Sequence, residues 1–417
     1  MKPLLCLQNM MDDIELSDFQ LSAANMVLTH GKACLGFDTG MGKTFAFSSI
    51  VRGLLNRNPE GKHILVIIND SIEQVPEDVK NLTRASVVSL DGTEKMGVRL
   101  RNTWNRASIF CLTLEALRVM GVVEFLFEHL NEIESFTIDE AHHVSNWNSS
   151  DTAFMIRSLT QHIPYVVELS ATPMTSSSKQ YYRLMNILDR NMSPHRDETY
   201  LGKYVDRYMP VNRKDYDLKG DYKSTLLVVS PAVHQLGPQH GIVFKKIKGT
   251  GATPQVEELL RFVKQRLSEG KRLIVYVHYH DSREWVEKHL TEANIPYAAL
   301  HGRLRNKAEK HEVLRQFKDK EVDVLLTSVT ESLNIDADVV VFYEFTTLVK
   351  QVIGRAHRGL AGKPLEIAFI ITKDTDEVPY FLKYIHARSL LIQKLLQKDY
   401  SELVEIGNRV ESLVLGD

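Results

Sequence analysis

The sequence predicts an α/β protein of two domains with a similar plan, each a parallel sheet with crossover helices. Three observations carry this expectation. Short β-branched runs recur along the chain, among them Ala33–Phe37, His63–Ile68, Ser108–Leu112, Phe136–Ile138 and Tyr165–Leu169. Amphipathic stretches such as Thr44–Leu55 and Ser71–Asn81 separate them, and strands alternating with helices give parallel sheets. The runs are apolar throughout, as strands covered on both faces are.

The alternation breaks after Pro173, and residues 174–250 read as helices and loops. Lys245–Gly251 (KKIKGTG) has the composition of a basic linker and a hinge. The pattern then restarts. Helices are expected at Pro254–Glu269, Asp281–Ala293, Asn306–Lys318 and Val349–His357. Strands are expected at Arg272–His278, Tyr297–Leu300, Val322–Thr327, Asp338–Tyr343 and Leu365–Thr372. Helical spacing fills Val378–Leu413. The expected organisation is a first domain at 1–180, a connection at 181–250, a second domain at 251–375 and a helical tail at 376–417.

The bulk properties limit the function classes. The 417 residues suit two or three domains at roughly 150 residues each. The formal charge is −2, so a polyanion would have to be gripped locally, in a groove lined with Lys and Arg. Three scattered cysteines, Cys6, Cys34 and Cys111, form neither a disulfide framework nor a zinc pair, which fits a reducing, intracellular setting. The start of the chain, cut by Met11-Asp12-Asp13, does not read as a signal peptide. No apolar run reaches the roughly 18 residues of a membrane span.

Phe37-Asp38-Thr39-Gly40-Met41-Gly42-Lys43-Thr44 lies between a predicted strand and a predicted helix. Gly40 and Gly42 permit a tight turn that aims backbone N–H groups, that of Met41 among them, at phosphate oxygens. The helix adds the positive end of its dipole. Lys43 would reach the β- and γ-phosphates of ATP, and the Thr44 hydroxyl would hold Mg²⁺. The strict pattern wants Gly at position 37, where this chain has Phe37. In Phe136-Thr137-Ile138-Asp139-Glu140-Ala141-His142 an apolar strand ends in two adjacent carboxylates. Asp139 suits Mg²⁺ as a hard oxygen ligand, and Glu140 suits the attacking water as its base. Arg355 and Arg358 stand three apart on a predicted helix and share one face.

Asp139–His142 spells DEAH, Ser170–Pro173 spells SATP, and Gln351–Arg358 spells QxxGRxxR. With the phosphate loop, in this order, they resemble helicase superfamily 2 over roughly residues 16–372. The resemblance implies two RecA-like domains, with ATP and Mg²⁺ bound in the cleft between them. It gives Gln20 the reading of adenine. It gives His142, Ser170 and Thr172 the coupling of hydrolysis to movement, and Gln351, Arg355 and Arg358 the γ-phosphate. Thr327-Ser328 and Leu333-Asn334-Ile335-Asp336 resemble the segment that touches both nucleic acid and nucleotide, with Asp336 on the nucleotide. The nucleic-acid candidates are Thr113, Arg84, His301-Gly302-Arg303, Arg305, Lys307, Thr327 and Ser328. Trp104, Trp147 and Trp285 read as packing residues rather than base-stacking ones.

Tyr182–Asp189 and Leu333-Asn334-Ile335 are similar to segments of Swi/Snf-like DNA translocases, although Ser332 replaces the Gly of their motif. Phage UvsW-type branch-migration helicases are a second similar group. The implied activity is ATP-dependent movement on DNA, by a monomer. An RNA helicase and a nucleotide-gated scaffold that does not move remain the alternatives.

Overall fold

The computed structural model describes residues 16–72, 74–90, 95–145, 151–174, 178–189, 207–216, 222–230, 253–302, 304, 307–329, 335–356, 364–373 and 375–415. The chain divides into two compact units, Met1–Asn212 and Arg213–Asp417. Trp147, the 245–251 linker, Arg303, Arg305, Leu333, Asn334 and Arg358 lie outside the described residues, as does the side chain of Lys307.

Among its described residues the first unit carries seven strands: β1 (Lys32–Phe37), β2 (Lys62–Ile67), β3 (Val87–Leu90), β4 (Ile109–Thr113), β5 (Ile133–Ile138), β6 (Tyr165–Leu169) and β7 (Tyr208–Val211). They lie in the order β3-β4-β2-β5-β6-β1-β7, every pairing parallel. Helices cover the sheet, so the central strands are apolar on both sides. One face packs Leu35, Phe37, Leu65, Ile67, Val167 and Leu169 beneath the helices Asp18–His30 and Lys43–Arg57. Each strand returns in parallel after a crossover, so the strand carboxyl ends gather at one rim, where α/β sheets bind ligands.

The second unit carries β8 (Tyr222–Val229), β9 (Leu273–Tyr276), β10 (Ala298–Leu300), β11 (Val324–Thr327), β12 (Val339–Phe342) and β13 (Leu365–Thr372). Their order is β10-β11-β9-β12-β13-β8, again wholly parallel. Thr253 and Pro254 open the helix Pro254–Ser268: the Thr253 hydroxyl accepts from Val256 N–H, and proline at the first turn gives up no needed donor. The tail forms helices Glu377–Phe381, Ala387–Leu396 and Ser401–Leu415, with a π-helical turn at Leu382–His386. Gly407 makes that packing possible, because a Cβ there would stand 2.3 Å from the His386 ring.

The segment read as helices and loops contains two strands. β7 completes the first sheet beside β1, and β8 runs the full length of β13 in the second. β3 is a further strand that the apolar pattern did not predict. Among the described residues no helix is long and apolar enough to cross a membrane. Trp104 is buried, stacked on Phe110 at 4.7 Å, as its packing role required.

One buried acid is out of keeping with its surroundings. Glu168 sits fully buried in β6, in register with Cys34 and Ile138. Burial pushes its carboxyl well above the usual range, so the folded protein holds this proton where the unfolded chain releases it. The resulting penalty is absent below the usual carboxylate pKa and grows as pH rises toward the folded value. Glu168→Gln should therefore raise the melting temperature more at pH 8 than at pH 5. An equal change at both pH values would contradict a neutral Glu168.

Candidate functional site

Three neighbouring strands, β5, β6 and β1, end at one rim of the first sheet and place there the segments singled out in sequence. β1 leads into the phosphate loop. Asp38 N–H donates to Val211 O at 2.9 Å, and Met41 N–H donates to Asp38 O at 3.1 Å to close the turn. Gly40 and Gly42 take φ of 82° and 75°, the left-handed region that favours glycine. Gly42 is the residue before the helix Lys43–Arg57, which begins with Lys43 and Thr44. Met41 departs from the expectation of a phosphate-facing residue. Its side chain is buried in the core, and its N–H is spent on the turn, so it anchors the loop.

Gln20 stands directly over this loop. Its Oε1 accepts from Ser17 N–H at 3.1 Å, and its Nε2 lies 2.4 Å from where a Cβ on Gly42 would be. The amide that sequence assigned to the base is thus held against the phosphate turn. Sequence reading passed over Phe45, whose ring edge reaches the same glycine and which is 40% exposed. A large aromatic at a solvent-facing position of the loop helix was the available signal.

The carboxylates follow β5. Asp139 N–H donates to Val66 O at 2.8 Å and Ala141 N–H to Leu169 O at 2.9 Å, which pins the turn between β2 and β6. Glu140 takes a positive φ of 49°, a conformation a side-chain-bearing residue holds only when its neighbours impose it. The turn brings Glu140 Oε1 to 2.7 Å from the Lys43 ammonium, with Asp139 Oδ1 at 3.9 Å. All three side chains are largely shielded from solvent, so screening is weak. Glu140 continues into the loop after β6. His142 Nδ1 lies 3.4 Å from Glu140 Oε2 and 3.1 Å from Ser170 Oγ, and that oxygen accepts from Thr172 N–H at 3.2 Å. Lys43, Glu140, His142, Ser170 and Thr172 therefore form one polar chain along the rim.

The donor set at this rim fits Mg²⁺. Asp139 supplies hard carboxylate oxygens and Thr44 a hydroxyl, and Mg²⁺ takes one or two such ligands together with substrate phosphates rather than a full protein cage. No group of three or more His, Cys, Asp and Glu residues suited to a metal occurs among the described residues.

In the second unit, His301 and Gly302 follow β10 and Ser328 follows β11, and Ser328 N–H donates to Leu300 O at 3.2 Å. Gly302 is exposed, as is Asp336 ahead of β12. Gln351 and Arg355 lie one turn apart on the helix Val349–Ala356, both partly exposed. Two candidates for nucleic-acid contact turn inward. Thr113 and Thr327 are fully buried, and each hydroxyl is engaged locally, Thr113 with Ala116 N–H at 3.3 Å and Thr327 with Val329 N–H at 3.0 Å. They shape the turns after β4 and β11. Arg84 is exposed at the end of the helix Val75–Thr83.

Because Gly42 combines a left-handed backbone with direct contact from Gln20, Gly42→Ala should cost roughly 1–2 kcal/mol in backbone strain alone. It should also displace Gln20 and lower nucleotide affinity at least about tenfold. Titration with a fluorescent ATP analogue beside a urea unfolding curve checks both. Unchanged affinity in the folded variant would contradict the placement of the loop.

Comparison with known proteins adds independent information. Residues 17–180 match the DEAD/DEAH box helicase model, and residues 254–359 match the helicase conserved C-terminal domain. UvrABC system protein B of Thermotoga petrophila is 29% identical over 164 residues, which cover 37% of this chain and 24% of that protein. The same protein of Kosmotoga olearia is 30% identical over 164 residues, with the same coverage. That of Corynebacterium diphtheriae is 28% identical over 214 residues, 48% of this chain and 29% of the relative. The matched region spans only about a quarter of the length of these relatives. Among solved structures, the Sulfolobus solfataricus SWI2/SNF2 ATPase core in complex with dsDNA is similar at a TM-score of 0.42 and 14% identity, over 91% of this chain and 92% of that one. With both helicase domain models matched in order, together over most of the chain, and the loop, the carboxylate pair and two parallel-sheet units in place, the chain belongs to the helicases and translocases of superfamily 2.

Proposed function

We propose that this protein is a DNA translocase or helicase that turns ATP hydrolysis into movement along DNA. The observation that carries the reading is the Lys43 ammonium held between Asp139 and Glu140 at the edge of a glycine turn. Lys43 offers its charge to the β- and γ-phosphates, which compete for it with the two carboxylates. Glu140 accepts the proton of the water that attacks the γ-phosphorus, and the bond to the ADP oxygen breaks as the new P–O bond forms. Mg²⁺, held through Asp139 and Thr44, would neutralise charge on the β- and γ-phosphate oxygens. Gln20 takes the base, and Asp336 and Gln351 contribute to nucleotide binding. Arg355 and Arg358 supply positive charge to the γ-phosphate, an effect of on the order of 10³–10⁵ in rate where such arginines have been removed.

The chain from Glu140 through His142 to Ser170 and Thr172 gives the loss of the γ-phosphate a route to the rest of the rim. A proton gained at Glu140 changes the partner that His142 faces, and His142 is shared with Ser170. His301, Gly302 and Ser328 stand at the strand ends of the second sheet, where phosphate contacts without base readout suit a motor. The preference for DNA rests on the likeness of Tyr182–Asp189 and Leu333-Asn334-Ile335 to segments of DNA translocases.

Steady-state ATP hydrolysis with Mg²⁺, alone and with single-stranded, duplex or branched DNA or with RNA, tests this reading, with Lys43→Ala as the blank. DNA should stimulate turnover, and the variant should lose nearly all of it. Stimulation by RNA alone would reassign the track, and a wild type that never turns over would reject the motor.

A further inference from the structure

We propose that the C-terminal tail acts as a brace that sets the rotation of the helix carrying Arg355, through a buried ion pair between Lys350 and Glu402. The inference rests on the proposed role of Arg355 at the γ-phosphate. Lys350 lies on the helix Val349–Ala356, and Glu402 lies on the helix Ser401–Leu415. Their side chains are bonded to each other, with relative exposures of 15% and 5%. Two tyrosines enclose the ammonium: the Tyr400 ring at 5.2 Å and the Tyr222 ring at 6.0 Å. The tail helix is fixed in turn to β8. Arg409 donates to Ser224 O at 3.2 Å, and the Ser224 hydroxyl donates to Glu405 at 3.0 Å. Lys350 is thus the one member of the cluster inside residues 254–359, the part that matches the helicase C-terminal model. Tyr222, Tyr400 and Glu402 all lie outside it.

The geometry of the helix explains why this contact matters. Val349, Val352, Ile353 and Ala356 are buried and form its core stripe. At about 100° per residue, Lys350 flanks that stripe on one side, and Gln351 and Arg355 follow around the polar face. The apolar stripe fixes which face of the helix is buried but, being non-directional, sets the fine rotation less sharply than a directed contact does. A charge pair that loses its partner on rotation resists strongly. Buried ion pairs are seldom worth more than apolar residues of equal volume, and fixing registry is their best-attested use. Here the register fixed is that of Arg355.

The test compares Lys350→Met/Glu402→Leu, which keeps the volume and removes the charges, with Glu402→Gln and with the wild type, at saturating ATP and DNA. The brace predicts that the double variant melts at or above the wild-type temperature yet loses kcat by roughly ten- to a hundredfold, the cost of misplacing a catalytic group. The KM for ATP should move far less than kcat, since the loop that binds the phosphates lies in the first unit and Gln351 is one of several nucleotide contacts. In an Arg355→Ala background the same substitutions should have no further effect on kcat, because residues acting as one unit are not additive. A folded double variant with wild-type kcat would overturn the brace, as would losses that add fully to those of Arg355→Ala. A wild type without turnover would instead overturn the reading of Arg355 itself, and the brace with it.

Discussion

The Lys43 ammonium lies 2.7 Å from Glu140 and 3.9 Å from Asp139, and bringing one cation to two adjacent carboxylates constrains three strands at once. Lys43 follows β1, the carboxylates follow β5, and β6 lies between them in the sheet. The contact depends on the register, which places Ile138 beside Glu168 and Leu35 beside Leu169, so that the three strands end within a few residues of one another at one rim. Gly42 and Glu140 both hold left-handed backbones at that rim. The buried sheet beneath over-determines these conformations, and the first sheet is in that sense a jig for one electrostatic contact.

From the same contact the polar chain runs on to the loop after β6. Ser170 and Thr172 take no part in holding Lys43, yet they are tied to Glu140 through the His142 ring. Glu140 is therefore connected through one imidazole to a loop on a different strand. In the second unit the same economy appears in another form. The helix Val349–Ala356 gains from Lys350 a fixed orientation that its own apolar stripe sets less sharply.

The central strands of both sheets were legible because burial on both faces leaves an uninterrupted apolar run. The strands that escaped are at edges. β3 and β7 close the two ends of the first sheet, and β8 closes one end of the second. β7 contains Pro210, which an edge strand tolerates and a central one does not, and β8 opens with the polar run Tyr222-Lys223-Ser224-Thr225. An edge strand needs less apolar surface, so its sequence resembles a loop. At the site, the loop and the carboxylates were legible because their chemistry is local: a few consecutive residues suffice. Which side chains turn inward was not, since Thr113 and Thr327 are placed by turns that sequence does not display. The pairing of Lys350 with a residue in the tail was out of reach for the same reason, because nothing near either residue announces the other.

In the proposed reaction Lys43 binds the phosphates while Glu140 activates water, two duties for two groups that touch each other. The direct test is Glu140→Gln, with MgATP binding measured by calorimetry and turnover measured under the same conditions. The variant should bind MgATP at least as tightly as the wild type, because the rival anion at Lys43 has been removed, while its hydrolysis falls by several orders of magnitude. Hydrolysis retained in this variant, or binding lost together with it, would contradict that division of labour.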